Sequence, residues 1–289
     1  MEYLILIASL GGIVFGADFL VAGAVSLARR FKVSDFVIGA AIVGVGTSMP
    51  ELVVSFMGAI NGNADVAIGN VVGSNIFNVL GILGLTAVFF PVAIEKKNMK
   101  FEIPLCIAVS VLLMILAFNF FNGTAATIGR FDGWILLLSF VGFLWYSFAR
   151  DRKDSNDSTE NITDEISPLW LAIVKVVGGL ALLIVSCDFF VDNAVLIAKR
   201  FGVNDAFISL TLIACGTSLP ELAASVAAAV KKNTDMALGN IVGSNIFNIT
   251  LILGLSSATY LIGNNIYRLY SNDSCGSACF VDRFCWQNQ

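Results

Sequence analysis

No histidine occurs anywhere in the 289 residues, and only 13% of them are charged. The first absence removes histidine-based triads, histidine-ligated zinc and haem, and any imidazole proton relay. The second is as restrictive. Soluble domains carry about 25% charged residues, so this chain could not clothe a water-exposed surface of its own size. Nor is there a basic excess, with 17 basic residues against 21 acidic, so nucleic acid is not an expected partner. The N-terminus lacks the basic stretch of a signal peptide, and its apolar run is too long for one. What the chain has in quantity is hydrophobic side chain, 57% of residues, with a mean hydropathy of +0.85. That composition belongs to a protein dissolved in a bilayer.

A membrane core takes about 20 apolar residues per helix. The sequence predicts an all-α, multi-pass protein with spans near 3–28, 35–60, 66–90, 102–121, 132–149, 168–198, 205–230 and 236–256. The connection 150–167 is rich in Asp, Ser and Asn and reads as a solvated linker. Cys106, Cys187 and Cys215 lie inside apolar segments and read as small core residues. Cys275, Cys279 and Cys285 match no standard metal spacing. Alternate loops beginning with the first hold eleven lysines and arginines, and the other side holds five. The richer side is expected to be cytoplasmic, with the N-terminus outside.

The organising feature is a repeat. Residues 46–85 align without a gap on 216–255, with 24 identities in 40 positions. Gly-Thr-Ser-Met-Pro-Glu at 46–51 pairs with Gly-Thr-Ser-Leu-Pro-Glu at 216–221, and Gly-Ser-Asn-Ile-Phe-Asn recurs at 73–78 and 243–248. The same offset of 170 pairs Asp18 with Asp188 and Arg30 with Arg200. Five spans separate equivalent points, an odd number, so the second copy enters the membrane from the opposite side. Inverted repeats of this kind are a common device of secondary transporters.

Glu51 and Glu221 sit mid-span in apolar surroundings. A charged residue at the bilayer centre costs about 2.5–3.5 kcal/mol on insertion scales. No lysine or arginine lies at matching depth, so a bound cation is the expected compensation. On an unbroken helix Thr47, Ser48 and Glu51 would share a face, as would Thr217, Ser218 and Glu221. Pro50 and Pro220 deprive the Gly46 and Gly216 carbonyls of their usual donors, which predicts a break in each helix and free carbonyl ligands there. Ser74 with Asn78, and Ser244 with Asn248, add a hydroxyl and an amide at i, i+4. Gly69, Gly73, Gly239 and Gly243 would draw helices together. For Asn70, Asn75, Asn240 and Asn245, interhelical hydrogen bonding is at least as good a reading as ligation. Asp18, Asp188 and Asp192 lie in the first helix of each copy, away from the motifs, with interhelical bonding or ion access as their open roles. The set is all oxygen, which suits Ca²⁺ and Na⁺ and not zinc or copper.

These motifs resemble the two repeats of the sodium/calcium exchanger family of cation/calcium antiporters, in particular its prokaryotic members, over roughly residues 1–256. The resemblance implies ten helices in two inverted halves, mobile first and sixth helices, and Ca²⁺ and Na⁺ competing for overlapping sites. It implies a metal-ligand set of Thr47, Ser48, Glu51, Ser74, Asn78, Thr217, Ser218, Glu221, Ser244 and Asn248, with carbonyls near Gly44 and Ala214. Thr-Ser ahead of each Pro-Glu favours sodium coupling, and asparagine at both 78 and 248 disfavours potassium dependence.

The expectation is therefore a sodium/calcium antiporter of the cell membrane that works by alternating access. It is not an enzyme and has no cofactor, and the ions and the lipid bilayer are its partners. Proton/calcium exchange, an intramembrane serine hydrolase and a non-transporting family member are the alternatives. The chain divides into a first repeat (1–149, five spans), a cytoplasmic linker (150–167), a second repeat (168–256, three spans) and a divergent tail (257–289). The first copy continues with 102–121 and 132–149, which would brace it. The second shows no such pair, so the helices within 205–256 are expected to expose polar faces.

Overall fold

A computed structural model describes residues 1–61, 64–90, 100–118, 128–155, 168–204 and 214–259. The tail beyond 259, most of the linker and residues 205–213 lie outside the described residues. All the elements that position the site are helices, named here in chain order. They are α1 (Glu2–Phe31), α2 (Asp35–Thr47), α3 (Met49–Ile60), α4 (64–89), α5 (Glu102–Phe118), α6 (Arg130–Ser155), α7 (Leu169–Arg200), α8 (Ala214–Gly216), α9 (Leu219–Val230) and α10 (Thr234–Thr259). Five are long and apolar enough to cross a bilayer, and α2 with α3 makes a sixth span bent by 50°. Helices α5 and α9 are apolar but shorter. The described helices fall on the expected spans; the one near 35–60 is broken, and the described part of the one near 205–230, residues 214–230, is broken at 217–218.

The inversion is visible in the packing of α1 on α7, the first helices of the two copies. A Cβ added to Gly16 would lie 2.7 Å from the backbone nitrogen of Leu183, and one added to Gly23 would lie 2.8 Å from that of Val176. As residue numbers rise on α1 they fall on α7, so the equivalent helices run antiparallel. Glu2 and Arg200 accordingly meet at one end of the pair. Glycine is required at these crossings because only hydrogen fits between the backbones. Leu20, Val21, Ala24 and Leu183 fill the seam around them.

The copies interpenetrate. Helix α10 of the second copy lies parallel to α2 of the first. A Cβ at Gly239 would meet the Phe36 carbonyl at 2.2 Å, and one at Gly243 would meet Ala40 at 2.4 Å. The expected close packing at Gly239 and Gly243 is therefore present. At Gly69 and Gly73 nothing among the described residues stands within 4 Å, and the positions equivalent to Phe36 and Ala40 fall in 205–213.

The expected bracing is reversed. Helix α6 does not stop at its own copy but crosses onto α10: Gly133 abuts Gly254 and Ala258, and Phe140 stacks edge-on against Phe247 at 5.7 Å between ring centres. As a result 94% of the apolar window of α10 is buried, against 28% for Val66–Val88 of α4. The helix expected to be exposed is the most enclosed, because its brace comes from the other repeat. Among the described residues the equivalent face on α4 has no such cover: Gly84 meets nothing within 4 Å, and Leu80 and Val88 are exposed.

Adjacent glycines on α7 provide a test with matched helix propensity. A Cβ at Gly179 would sit 2.5 Å from the Leu20 nitrogen, whereas at Gly178 nothing among the described residues stands within 4 Å. Gly179→Ala should destabilise by about 1–3 kcal/mol through overpacking. Gly178→Ala should be neutral or stabilising by up to about 1 kcal/mol. Thermal melting of the two variants in detergent checks the pair, and equal melting shifts would contradict the packing.

Candidate ion site at the crossing of the two repeats

Each motif helix breaks at its serine. Ser48 has φ −82°, ψ 10° and Ser218 has φ −92°, ψ 7°, the bridge conformation between helix and strand. Pro50 and Pro220 then occupy the first turn of α3 and α9, where a missing N–H costs nothing. The new helices restart from the serine carbonyls, which accept from Leu52 and Leu222. Glu51 and Glu221 thus lie in the first turn of a half-helix, where the exposed end of the helix dipole favours negative charge. Pro50 removes the usual donor to the Gly46 carbonyl, and the Ser48 N–H donates to the Gly44 carbonyl at 3.2 Å.

The break takes each serine off the face that an unbroken helix would give it with the glutamate of its own copy. The Ser48 hydroxyl donates to Glu221 Oε1 at 2.7 Å, and the Ser218 hydroxyl donates to Glu51 Oε1 at 3.0 Å. A bend of 50° removes the common face that an unbroken helix would provide. The two breaks face one another, so each carboxylate is held from the opposite repeat. Both glutamates and both serines have no solvent exposure.

The remaining acceptor on each carboxylate is unpaired. Glu51 Oε2, Glu221 Oε2, Thr217 Oγ1, Asn78 Oδ1 and Asn248 Oδ1 are all buried without a hydrogen-bond partner. A buried polar atom left unpaired costs about 1–3 kcal/mol, and native proteins keep few of them without a reason. Helix α3 packs on the turn Asn248–Leu253 and α9 on the turn Phe77–Leu83, so the elements that carry these oxygens meet at one junction. Both turns are π-helical, a widening often found at functional sites that the sequence reading does not anticipate.

The other predicted residues take distinct places. Thr47 donates to the Val43 carbonyl at 3.0 Å and reaches Asn240 Oδ1 at 3.3 Å. Ser244 donates to the Gly44 carbonyl at 3.3 Å, an oxygen that also accepts the Ser48 N–H. Ser74 is buried. The motif asparagines bind between helices. Asn70 donates to the Glu51 carbonyl and to Ser55, and Asn240 makes the same pair of bonds to the Glu221 carbonyl and Ser225. Ser55 and Ser225 were missed, although their identity across the repeat was a usable signal. Asp18 forms an ion pair with Lys231 at 2.6 Å, an interhelical role. Asp188 and Asp192 lie exposed on α7.

Among the described residues no group of three or more His, Cys, Asp or Glu side chains could hold a metal ion. A cation at this junction would therefore have two carboxylates and otherwise neutral oxygens, the donor set of a hard ion. Cys106, Cys187 and Cys215 form no disulfide, and Cys275, Cys279 and Cys285 lie outside the described residues.

Comparison with known proteins places this geometry in a family. The family model described as sodium/calcium exchanger protein matches residues 1–149 and 171–274. The putative antiporter CaxA of Alkalimonas amylolytica is 42% identical over 250 residues, covering 85% of this chain and 76% of its own. The sodium/calcium exchanger MaX1 of Methanosarcina acetivorans is 33% identical, over 90% of this chain and 83% of its own. A solved structure of the sodium-calcium exchanger NCX_Mj, soaked with Na⁺ and Sr²⁺, superimposes with a TM-score of 0.77 at 31% identity, covering 92% of this chain and 85% of the other. The chain belongs to the sodium/calcium exchanger family, a family of membrane-embedded secondary transporters and not of enzymes.

The crossed bonds predict crossed coupling. Ser48→Ala and Glu221→Gln should be non-additive in thermal stability by about 0.5–3 kcal/mol, as groups in direct contact are. Ser48→Ala combined with Glu51→Gln should be closer to additive. A double-mutant cycle by melting in detergent decides, and stronger coupling within a copy than across copies would contradict the arrangement.

Proposed function

We propose that this chain exchanges Ca²⁺ for Na⁺ across a cell membrane, by alternating exposure of the junction between its two repeats. The observation that carries the reading is the pair of fully buried glutamates, one from each repeat, each with one oxygen held by the other repeat's serine and one left unpaired. Neither glutamate pairs with a lysine or arginine among the described residues. Two carboxylates carry the charge that one Ca²⁺ neutralises. The same oxygens, with Thr47, Ser48, Ser74, Asn78, Thr217, Ser218, Ser244 and Asn248 as neutral partners, can instead serve several Na⁺. Mg²⁺ fits poorly because it sheds its water reluctantly. Since the two ions compete for the same carboxylates, entry of one displaces the other, and the gradient of one drives the other uphill. The antiparallel α1–α7 pair and the inverted motif helices give the molecule two related ends, as alternation between two sides requires.

Glu51→Gln and Glu221→Gln keep side-chain shape and remove one charge. Each should abolish sodium-gradient-driven calcium uptake into proteoliposomes while the protein still inserts. Near wild-type uptake by either variant would sink the proposal. Uptake by the unmodified chain that follows pH and ignores sodium at fixed pH would assign it to proton exchange.

The basic-residue asymmetry favours an orientation with the N-terminus outside and the end of α6 in the cytoplasm. Single cysteines from Glu2→Cys and Ser155→Cys, with the six native cysteines removed, should label from opposite sides. Labelling from one side would defeat this orientation.

A further inference from the structure

An amide ligand differs from a carboxylate in one respect that matters to a cation. Its two ends have the same shape but opposite hydrogen-bonding character, so packing alone does not decide whether oxygen or NH₂ faces the ion. This chain carries asparagine at both equivalent positions, Asn78 and Asn248, each almost fully buried. Something must set their polarity.

The hydrogen bonds supply that device. The Asn245 backbone carbonyl can only accept, and Asn75 donates its NH₂ to it at 3.2 Å. That fixes Asn75 Oδ1 on the opposite side, where it accepts from Asn248 Nδ2 at 3.0 Å. Asn248 Oδ1 is thereby turned the other way and is left buried and unpaired. In parallel, the Asn245 side-chain oxygen accepts from Asn78 Nδ2 at 3.1 Å, and Asn78 Oδ1 is likewise left unpaired. Both controls cross between the repeats, as the serine–glutamate bonds do.

We infer that Asn75 and Asn245 are positioning residues, which fix the amide polarity of Asn248 and Asn78 so that each presents its carbonyl oxygen to the cation. The inference rests on the cation-site reading above and assigns neither Asn75 nor Asn245 as a ligand. It also explains why these side chains recur at the same place in both copies: each meets the requirement of the other copy's asparagine. A flipped amide would put two N–H donors where a cation needs an acceptor.

Equilibrium calcium binding to the purified full chain in detergent tests this, with the melting temperature of each variant recorded. Asn75→Leu should weaken calcium binding about tenfold, the scale expected when a buried acceptor is exchanged for a donor. In an Asn248→Asp background position 248 has two oxygens and no amide to misplace. There the same substitution should change affinity by less than about twofold, the ordinary error of additivity. Asn245→Leu keeps its backbone carbonyl, so its effect should vanish only in an Asn78→Asp background. Asn75→Ala, which adds no bulk, is read in parallel so that misfolding of the leucine variant does not decide the result. Equal losses of affinity in both backgrounds would make the asparagines packing residues and overturn the inference, as would an unchanged affinity in the otherwise native chain. An unmodified chain that binds neither calcium nor sodium would sink the cation site itself, and the inference with it.

Discussion

Two carboxylates are buried at one junction in a membrane with no basic side chain among the described residues to balance them, and much of the local structure answers to that constraint. Burying one ionised group without a partner costs several kcal/mol. Each repeat reduces the cost in three ways. It starts a new half-helix just before the glutamate, which turns the positive end of the helix dipole on it. It sends a serine to the other repeat's carboxylate. It ties the glutamate's backbone carbonyl to an asparagine, Asn70 or Asn240, which is itself fastened to Ser55 or Ser225. None of these supplies positive charge. The residual demand is left with five unpaired oxygens.

The crossed arrangement depends on how closely the repeats can approach. Serine and glutamate from opposite copies meet only if α2 and α10 pack backbone to backbone, and that contact is set by Gly239 and Gly243 against Phe36 and Ala40. The antiparallel α1–α7 seam at Gly16, Gly23 and Gly179 holds the outer pair by the same means. In lipid there is no hydrophobic force to bring helices together, so close van der Waals fit and interhelical hydrogen bonds must do so. Glycine at the crossings and asparagine at the junction are these two means placed in sequence order within one ten-residue motif.

The apolar helices, the inversion, both helix breaks and the two glutamates were legible in the sequence. They are written locally, as apolar runs, an offset of 170, and proline two residues after serine. The partners were not legible. Nothing in residues 46–51 says that Ser48 will serve Glu221 instead of Glu51; that follows from a bend whose angle depends on tertiary packing. The brace was misread for a related reason. Helix α6 closes the first copy in the chain but encloses α10 of the second, because Gly133 finds Gly254 and not its equivalent, Gly84. Chain order predicts neighbours poorly when two copies interlock. The π-helical turns at Phe77–Leu83 and Asn248–Leu253 also left no signal, since an extra residue per turn changes no composition.

The departures from symmetry then acquire a physical meaning. In an inverted repeat, exchanging the conformations of the two copies converts one orientation of the molecule into the other. A contact made identically in both copies has the same energy in either orientation and sets no preference. A contact without a mirror image does set one. Lys231 reaches Asp18 at the end of α9, but the equivalent pair would be Asn61 and Asp188, which cannot form a salt bridge. The pair is partly exposed, 34% and 55% for the two side chains, so it is worth about 0–1 kcal/mol. On the exchange reading proposed above, that is a bias of a few-fold at most between the orientations, small enough for an ion gradient to override. The junction itself keeps its near-symmetric wiring and stays equally competent from both ends, while preference for one orientation is placed at the periphery, where residue 61 or 231 can differ without touching a carboxylate.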